Sequence, residues 1–296
     1  MAMWRELRAG QVSRVMIGHA DGGEPVGVFR TDAMVVEAPN WTPDGRWLVV
    51  NAEGRLWRLA AEGSSGLEPI ELPGLPPVNN DHVLAPDGEH VFASAADGHI
   101  YLAPLAGGTS RRVTNDVEPA TFMHFLHGVS PDGRTLAYVG VARTADGTTT
   151  ADLYLIPSEG GPDRRLTDRG PSDGCEYFPD GKWIYFNTEA FSDTAGHAQI
   201  ARMRADGTGV EQLTFDERVN WFPHWSPDGA TALYLSYSPG TVSHPADLPI
   251  ELRLVVDHDW AHARTVVETF GGQGTVNVNS WAPDSRRLGY VDYPVG

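Results

Sequence analysis

The sequence has almost no cysteine: Cys175 stands alone in 296 residues. That excludes an internal disulfide and any multi-cysteine zinc site, and it suits a reducing compartment. Long apolar runs are missing, and none approaches the ~20 residues of a membrane span. Positive charge is scarce. Lys and Arg total 22 against 39 Asp and Glu, a net charge of −17. A field of that sign repels nucleic acid and anionic membranes, so neither is an expected partner. The N-terminus, MAMWRELRAGQ, carries no apolar signal segment. The chain as written therefore reads as cytoplasmic, or as periplasmic or secreted if a signal was trimmed. No H-E-x-x-H zinc motif and no G-x-S-x-G elbow occurs.

Glycine and proline are plentiful, 33 and 22 residues, and they recur in one phrase. It reads WTPDGRWLVV at 41, LAPDGEHVFA at 84, VSPDGRTLAY at 129, YFPDGKWIYF at 177, WSPDGATALY at 225 and WAPDSRRLGY at 281. The prolines are spaced by 43, 45, 48, 48 and 56 residues. A period of ~40–50 with a turn-rich β pattern means a propeller or solenoid. Pro ends the incoming strand, Asp-Gly supplies the turn, and an alternating strand follows. Third strands read GRLWRLA at 54, GHIYLAPL at 98, ADLYLIPS at 151 and AQIARMRA at 198. Fourth strands read RRVTND at 111, RRLTD at 164 and EQLTFD at 211. Four strands per unit make a propeller blade. The sixth unit stops 13 residues after Pro283. SRVMIGHAD at 13 and PVGVFRTD at 25 supply its missing strands. The expected fold is all-β, one six-bladed β-propeller domain over 1–296, its last blade closed two-plus-two by the N-terminal strands.

The S-P-D-G phrase, a third strand and then R-L-T resemble the β-propeller repeats of TolB. The resemblance covers nearly the whole chain and implies the fold. TolB itself is periplasmic, binds proteins and has an extra N-terminal domain that this sequence does not show. Similar repeats occur in oligogalacturonate lyases, metal-dependent propeller enzymes with histidine ligands. That likeness implies a histidine–metal sugar-cleaving site, though their ligand set does not map onto this chain residue by residue.

In a propeller the first strand of each blade lines the channel. The residues before each PDG turn are Asn40 in blade 1; Asn79, Asn80, Asp81 and His82 in blade 2; His124 and His127 in blade 3; Asp173 and Glu176 in blade 4; Asn220, Trp221 and His224 in blade 5; and Gln273, Thr275, Asn277 and Asn279 in blade 6. The long loops at 188 and 236 add His197, Gln199 and His244. Imidazoles from several blades with a carboxylate would suit Lewis-acid catalysis. The expected ligands of a divalent ion (manganese, zinc, nickel, iron or calcium) are His82, His127 and His224. Glu176, His127 and His224 are the expected catalytic groups. Asn80, Asp81, Trp221, His244, Gln199, Gln273 and Asn277 are the expected substrate contacts. Asp173 reads equally as a turn former. Cys175 reads as buried and inert. Two functions follow. One is metal-assisted binding and cleavage of a carbohydrate or glycoside, as lyase or hydrolase. The alternative is a non-catalytic, TolB-like scaffold for a protein or ligand.

Overall fold

The computed structural model describes residues 5–119, 121–143 and 146–296. Its strands form six antiparallel sheets arranged as propeller blades. Blade 1 holds β3 (Glu37–Trp41), β4 (Trp47–Ala52), β5 (Arg55–Ala60) and β6 (Glu68–Pro69). Blade 2 holds β7 (Val78–Leu84), β8 (His90–Ala95), β9 (Ile100–Pro104) and β10 (Arg111–Arg112). Blade 3 holds β11 (Met123–Val129), β12 (Thr135–Arg143), β13 (Thr149–Pro157) and β14 (Arg164–Arg165). Blade 4 holds β15 (Ser172–Tyr177), β16 (Trp183–Thr188), β17 (Gln199–Arg204) and β18 (Glu211–Gln212). Blade 5 holds β19 (Val219–Trp225), β20 (Thr231–Tyr237), β21 (Leu248–Val256) and β22 (Arg264–Gly271).

Blade 6 joins the two ends of the chain. β23 (Arg287–Asp292) pairs with β1 (Ser13–His19), from Arg14 opposite Asp292 to His19 opposite Arg287, and β1 pairs with β2 (Val26–Thr31). The expected fourth strand differs. Next to β23 only Trp281 bridges to Leu288, and the preceding stretch is turns. Gly272 and Gly274 hold positive φ there, and Gly274 N–H donates to Asn277 Oδ1 at 2.7 Å. Those local bonds take backbone groups a ladder would need.

The repeated phrase has a common mechanics. In the turn at Thr42, the Oγ1 hydroxyl donates to Asp44 Oδ1 at 2.6 Å, and that oxygen accepts Arg46 N–H at 3.0 Å. Ser130–Asp132 and Ser226–Asp228 repeat the contact at 2.7 and 2.6 Å. The next residue is left-handed in all six turns: φ is 70–73° at Gly45, Gly88, Gly133, Gly181 and Gly229, and 58° at Ser285. Only glycine adopts that region freely. The threonine of the R-L-T phrase holds the third strand: Oγ1 of Thr114, Thr167 and Thr214 accepts N–H of Ile100, Leu153 and Ile200 at 2.9–3.0 Å. Between blades the core is aliphatic and aromatic, as in Leu48, Leu59, Val15 and Val291 where blades 1 and 6 meet. Each such buried side chain contributes ~1.5–3 kcal/mol. Trp225, 1% exposed, packs edge-on to Phe178 and Tyr185, the interblade role its position before SPDG suggests.

The inner strands carry the feature that builds the site. The pairing register of β3, β7, β11, β15 and β19 shifts at the same level: Glu37/Asn40, Val78/His82, Leu126/Gly128, Asp173/Glu176 and Trp221/His224. A bulge re-aims the side chains inside it. Three bulges contain left-handed residues, Ala38 (φ 52°), Gly174 (φ 61°) and Phe222 (φ 54°). No helix among the described residues is long and apolar enough to cross a membrane.

Candidate functional site

The channel-lining residues sort into two groups. The first is a chain of ties between inner strands. Glu176 Oε2 lies 2.6 Å from His224 Nδ1, and Glu176 Oε1 accepts Trp225 N–H at 2.9 Å and Asn279 Nδ2 at 2.7 Å. His224 Nε2 lies 2.8 Å from Val276 O. Asn40 continues the chain, donating to Asn279 O at 2.5 Å and accepting Leu84 N–H at 2.8 Å. Blades 4, 5, 6, 1 and 2 are thus linked by buried polar contacts. Both nitrogens of His224 are already taken up by neighbouring oxygens, so neither is free for a further partner.

The second group surrounds His127. Its Nε2 lies 2.9 Å from Asp173 Oδ1 and 3.9 Å from Asp81 Oδ1, and its Nδ1 lies 3.2 Å from Asn277 O. Burial pulls the His127 pKa down, but Asp81 and then Asp173 outweigh it and raise the value to about 9. The ring is a cation at neutral pH, donating from both nitrogens. Asp173, despite burial, is held below the usual carboxylate range by that cation. Burial pushes Asp81 up to about 6; His127 opposes the rise and Asp173 adds to it. His244, from the long loop of blade 5, completes the group. Its Nε2 lies 3.8 Å from Asp173 Oδ2, and its Nδ1 is hydrogen-bonded to Gln273 Oε1. Gln273 Nε2 in turn donates to Asn80 Oδ1 at 3.2 Å. Phe222 stacks on His127 at 5.6 Å and meets His244 edge-on at 5.2 Å. The strained Phe222 backbone is secured by its N–H to Asn187 Oδ1 at 3.1 Å. Solvent reaches the group through Asp173 and His244, whose side chains are 21% and 25% exposed, whereas Asp81 is at 7%.

Asp81, Asn80, His127, His244, Gln273 and Asn277 are therefore brought to one place, and Glu176 with His224 to another. Gln199 joins neither: its amide donates to Arg218 O at 2.7 Å and Ala198 O at 3.1 Å beneath the blade 4 loop. Trp221 is 5% exposed and packs on His244 at 4.4 Å, so it offers no open platform. His124 turns away into a packed group with Phe122 and Tyr138, its Nδ1 on Gly98 O at 2.6 Å. Cys175 is buried, and burial raises its thiol pKa, in keeping with an inert role.

The expected divalent-metal ligands do not come together as one donor set among the described residues. Among the described residues no group of three or more His, Cys, Asp or Glu could hold a metal ion. His127 is spent on Asp173 and held as a cation, His224 is spent on Glu176 and Val276, and His82 is fully buried without a hydrogen-bond partner among the described residues. Burial alone pushes His82 down to about 3, so it stays neutral. Two residues beyond the expected set matter. Asp173 is central, and its Oδ1 both accepts Gly174 N–H at 2.7 Å and receives His127. Glu37, whose pKa burial raises, stands at the equivalent bulge of blade 1, three residues before Asn40 as Asp173 is before Glu176. That shared spacing is the signal that could have found it.

Exposed apolar side chains stand on the neighbouring loops: Phe191 (44%), Phe215 (77%) and Val242 (68%). A cleft of about 210 Å³ lies there, lined by Ala195, His197, Glu217, Val219 and Gly240 among others.

One variant checks the electrostatics of Asp81. Its folded pKa lies above the ordinary value, so its contribution to stability is full below about pH 4 and lost as pH rises through about 6. Asp81→Asn removes that penalty and keeps an acceptor for Asn79. Urea unfolding at pH 7 is expected to show a gain of about 1–3 kcal/mol that vanishes near pH 4. A loss of stability at pH 7 would contradict the assigned strain.

Comparison with known proteins places this fold among relatives. A sequence profile for the TolB β-propeller domain matches residues 97–248. A protein of Agrobacterium fabrum, itself uncharacterised, is 38% identical over 262 residues, covering 87% of this chain and 84% of its own. A solved structure from Agrobacterium tumefaciens, provisionally named TolB, superposes with a TM-score of 0.86 at 36% identity, over 96% of this chain and 99% of that one. An oligogalacturonate lyase solved with manganese matches at a TM-score of 0.55 and 14% identity, over 90% of this chain and 75% of that one, a likeness of fold alone.

Proposed function

We propose, from the premise that this chain belongs to the TolB β-propeller family, that it is a binding propeller whose ligand seats on Asp81, His127, Asp173 and His244. The observation that carries this reading is a contrast. The polar atoms of Glu176 and His224 are spent on neighbouring blades, whereas the His127 group reaches solvent and keeps unspent acceptors at Asp81 Oδ1 and Asp173 Oδ2. Buried polar groups with spare capacity are held ready for a partner. Asn80, Gln273 and Asn277 position the group, since their bonds run to its members and to the loop that carries Gln273. The exposed Phe191, Phe215 and Val242 support a protein as one bearer of the ligand. Membership of the TolB family supports the periplasmic or secreted option for location.

A second reading, cleavage of a carbohydrate or glycoside by the same group, is supported by one observation: Asp81, at about 6, lies in the range of a general acid or base. It would work without the metal assistance that the donor set does not fit.

Thermal-shift screening with a library of sugars, amines and peptides tests the seat. A ligand at a hundred times its Kd stabilises by about 2.7 kcal/mol. Hits are expected to vanish in Asp173→Asn and persist in Glu176→Gln. Hits that bind Asp173→Asn as well as the parent would overturn the assignment.

A further inference from the structure

Resting on that binding seat, we infer that the ligand presents a primary ammonium group to it. Two carboxylates, Asp81 and Asp173, stand within 4 Å of a single imidazolium, His127 Nε2, at 3.9 and 2.9 Å. The group is left with one surplus negative charge in a largely buried place, and a surplus buried charge is costly until paired. The ligand that relieves it carries one positive charge.

The acceptors say what form that charge takes. Asp81 Oδ1 has no hydrogen bond among the described residues, although the side chain is only 7% exposed; its other oxygen takes Asn79 Nδ2 at 2.8 Å. Asp173 Oδ2 likewise has none, its partner oxygen being used by His127 and Gly174. The third acceptor is His244 Nε2. Gln273 donates its amide to Asn80, so its carbonyl oxygen faces His244 Nδ1, which must then carry the proton. In that tautomer Nε2 carries the lone pair, 3.8 Å from Asp173 Oδ2, too far for a direct bond. Three unspent acceptors on blades 2, 4 and 5 match the three N–H donors of an ammonium. A hydroxyl brings one donor and no charge. A guanidinium is a planar fork and needs a flat carboxylate face, which the separate carboxylates do not present.

A free small amine and the lysine side chain of a protein share this chemistry. Calorimetric titration of the intact chain separates them with four probes: glucosamine, N-acetylglucosamine, Nα-acetyl-lysine amide, and the same lysine acetylated on Nε. The amines are expected to bind at least tenfold tighter than their acetylated counterparts. Binding of glucosamine identifies a small amine as the ligand class, and preferential binding of the lysine probe identifies a protein side chain. Asp173→Asn and Asp81→Asn are each expected to weaken the amine at least tenfold, with folding checked by circular dichroism. Should either variant fail to fold, the acetylation contrast on the parent protein decides alone. Equal binding of amine and acetylated probes that Asp173→Asn still abolishes would overturn the ammonium and leave the seat standing. Amine binding unaffected by both variants would overturn the seat as well. No binding of either amine would overturn the ammonium, while hits lost in Asp173→Asn from the library screen would keep the seat.

Discussion

Glu176→Ala is expected to lower the unfolding free energy by about 3–5 kcal/mol, because it removes the acceptor of a buried charge-bearing network. Three donors lose their partner together: His224 Nδ1, the Trp225 backbone N–H and Asn279 Nδ2. These belong to blades 5 and 6, so the loss loosens the ties of blade 4 to both. His224 is 1% exposed and has no route to water that would replace the carboxylate. Urea unfolding measures the effect. Glu176→Gln keeps an acceptor and is expected to lose less than the alanine variant. Unchanged stability of the alanine variant would contradict the structural role of this pair and return it to the catalytic set.

His127→Ala is expected to cost about 3–5 kcal/mol at pH 7, for the opposite reason: it leaves anions without their cation. Asp173 and Asp81 then face each other's field alone, at a site where burial already raises Asp81 to about 6. The pH dependence gives the sign. The folded pKa of His127, about 9, lies above its ordinary 6.5. Its contribution is therefore full below pH 6.5 and lost as pH rises through about 9. The parent protein should weaken over that window. The variant should lack that slope and should instead regain stability on acidification, as Asp81 takes a proton. Parallel pH profiles for parent and variant would contradict the account.

The repeat architecture was legible because each turn states its mechanics in sequence. Pro stops a strand, Asp accepts the turn amides, and glycine takes the left-handed position, with Ser285 the exception that still conforms. The end-to-end pairing of β1 with β23 was legible from strand counting. The inner strand of blade 6 was not, because Gly272, Gly274 and Asn277 satisfy one another locally. Within the channel, residue types told which blades supply polar groups, but not which of those groups meet. Bulges shift the register in the middle of β3, β7, β11, β15 and β19, so a period of two does not carry through. This is why His82 and His127 part company, why Asp173 rather than Glu176 meets His127, and why His124 turns into the blade interior. The bulge at Phe222 was invisible, since a bulky residue at positive φ has no signature in sequence.

The most direct measurement is the proton titration of His127 by NMR of protein carrying 15N-labelled histidine. The account predicts a midpoint at about 9, falling in Asp173→Asn as the nearest carboxylate charge is removed, and unmoved in Glu176→Gln because that pair belongs to a separate group. A His127 midpoint near the ordinary 6.5 in the parent protein, indifferent to Asp173→Asn, would contradict the central claim that the two carboxylates and this imidazolium form one charged seat.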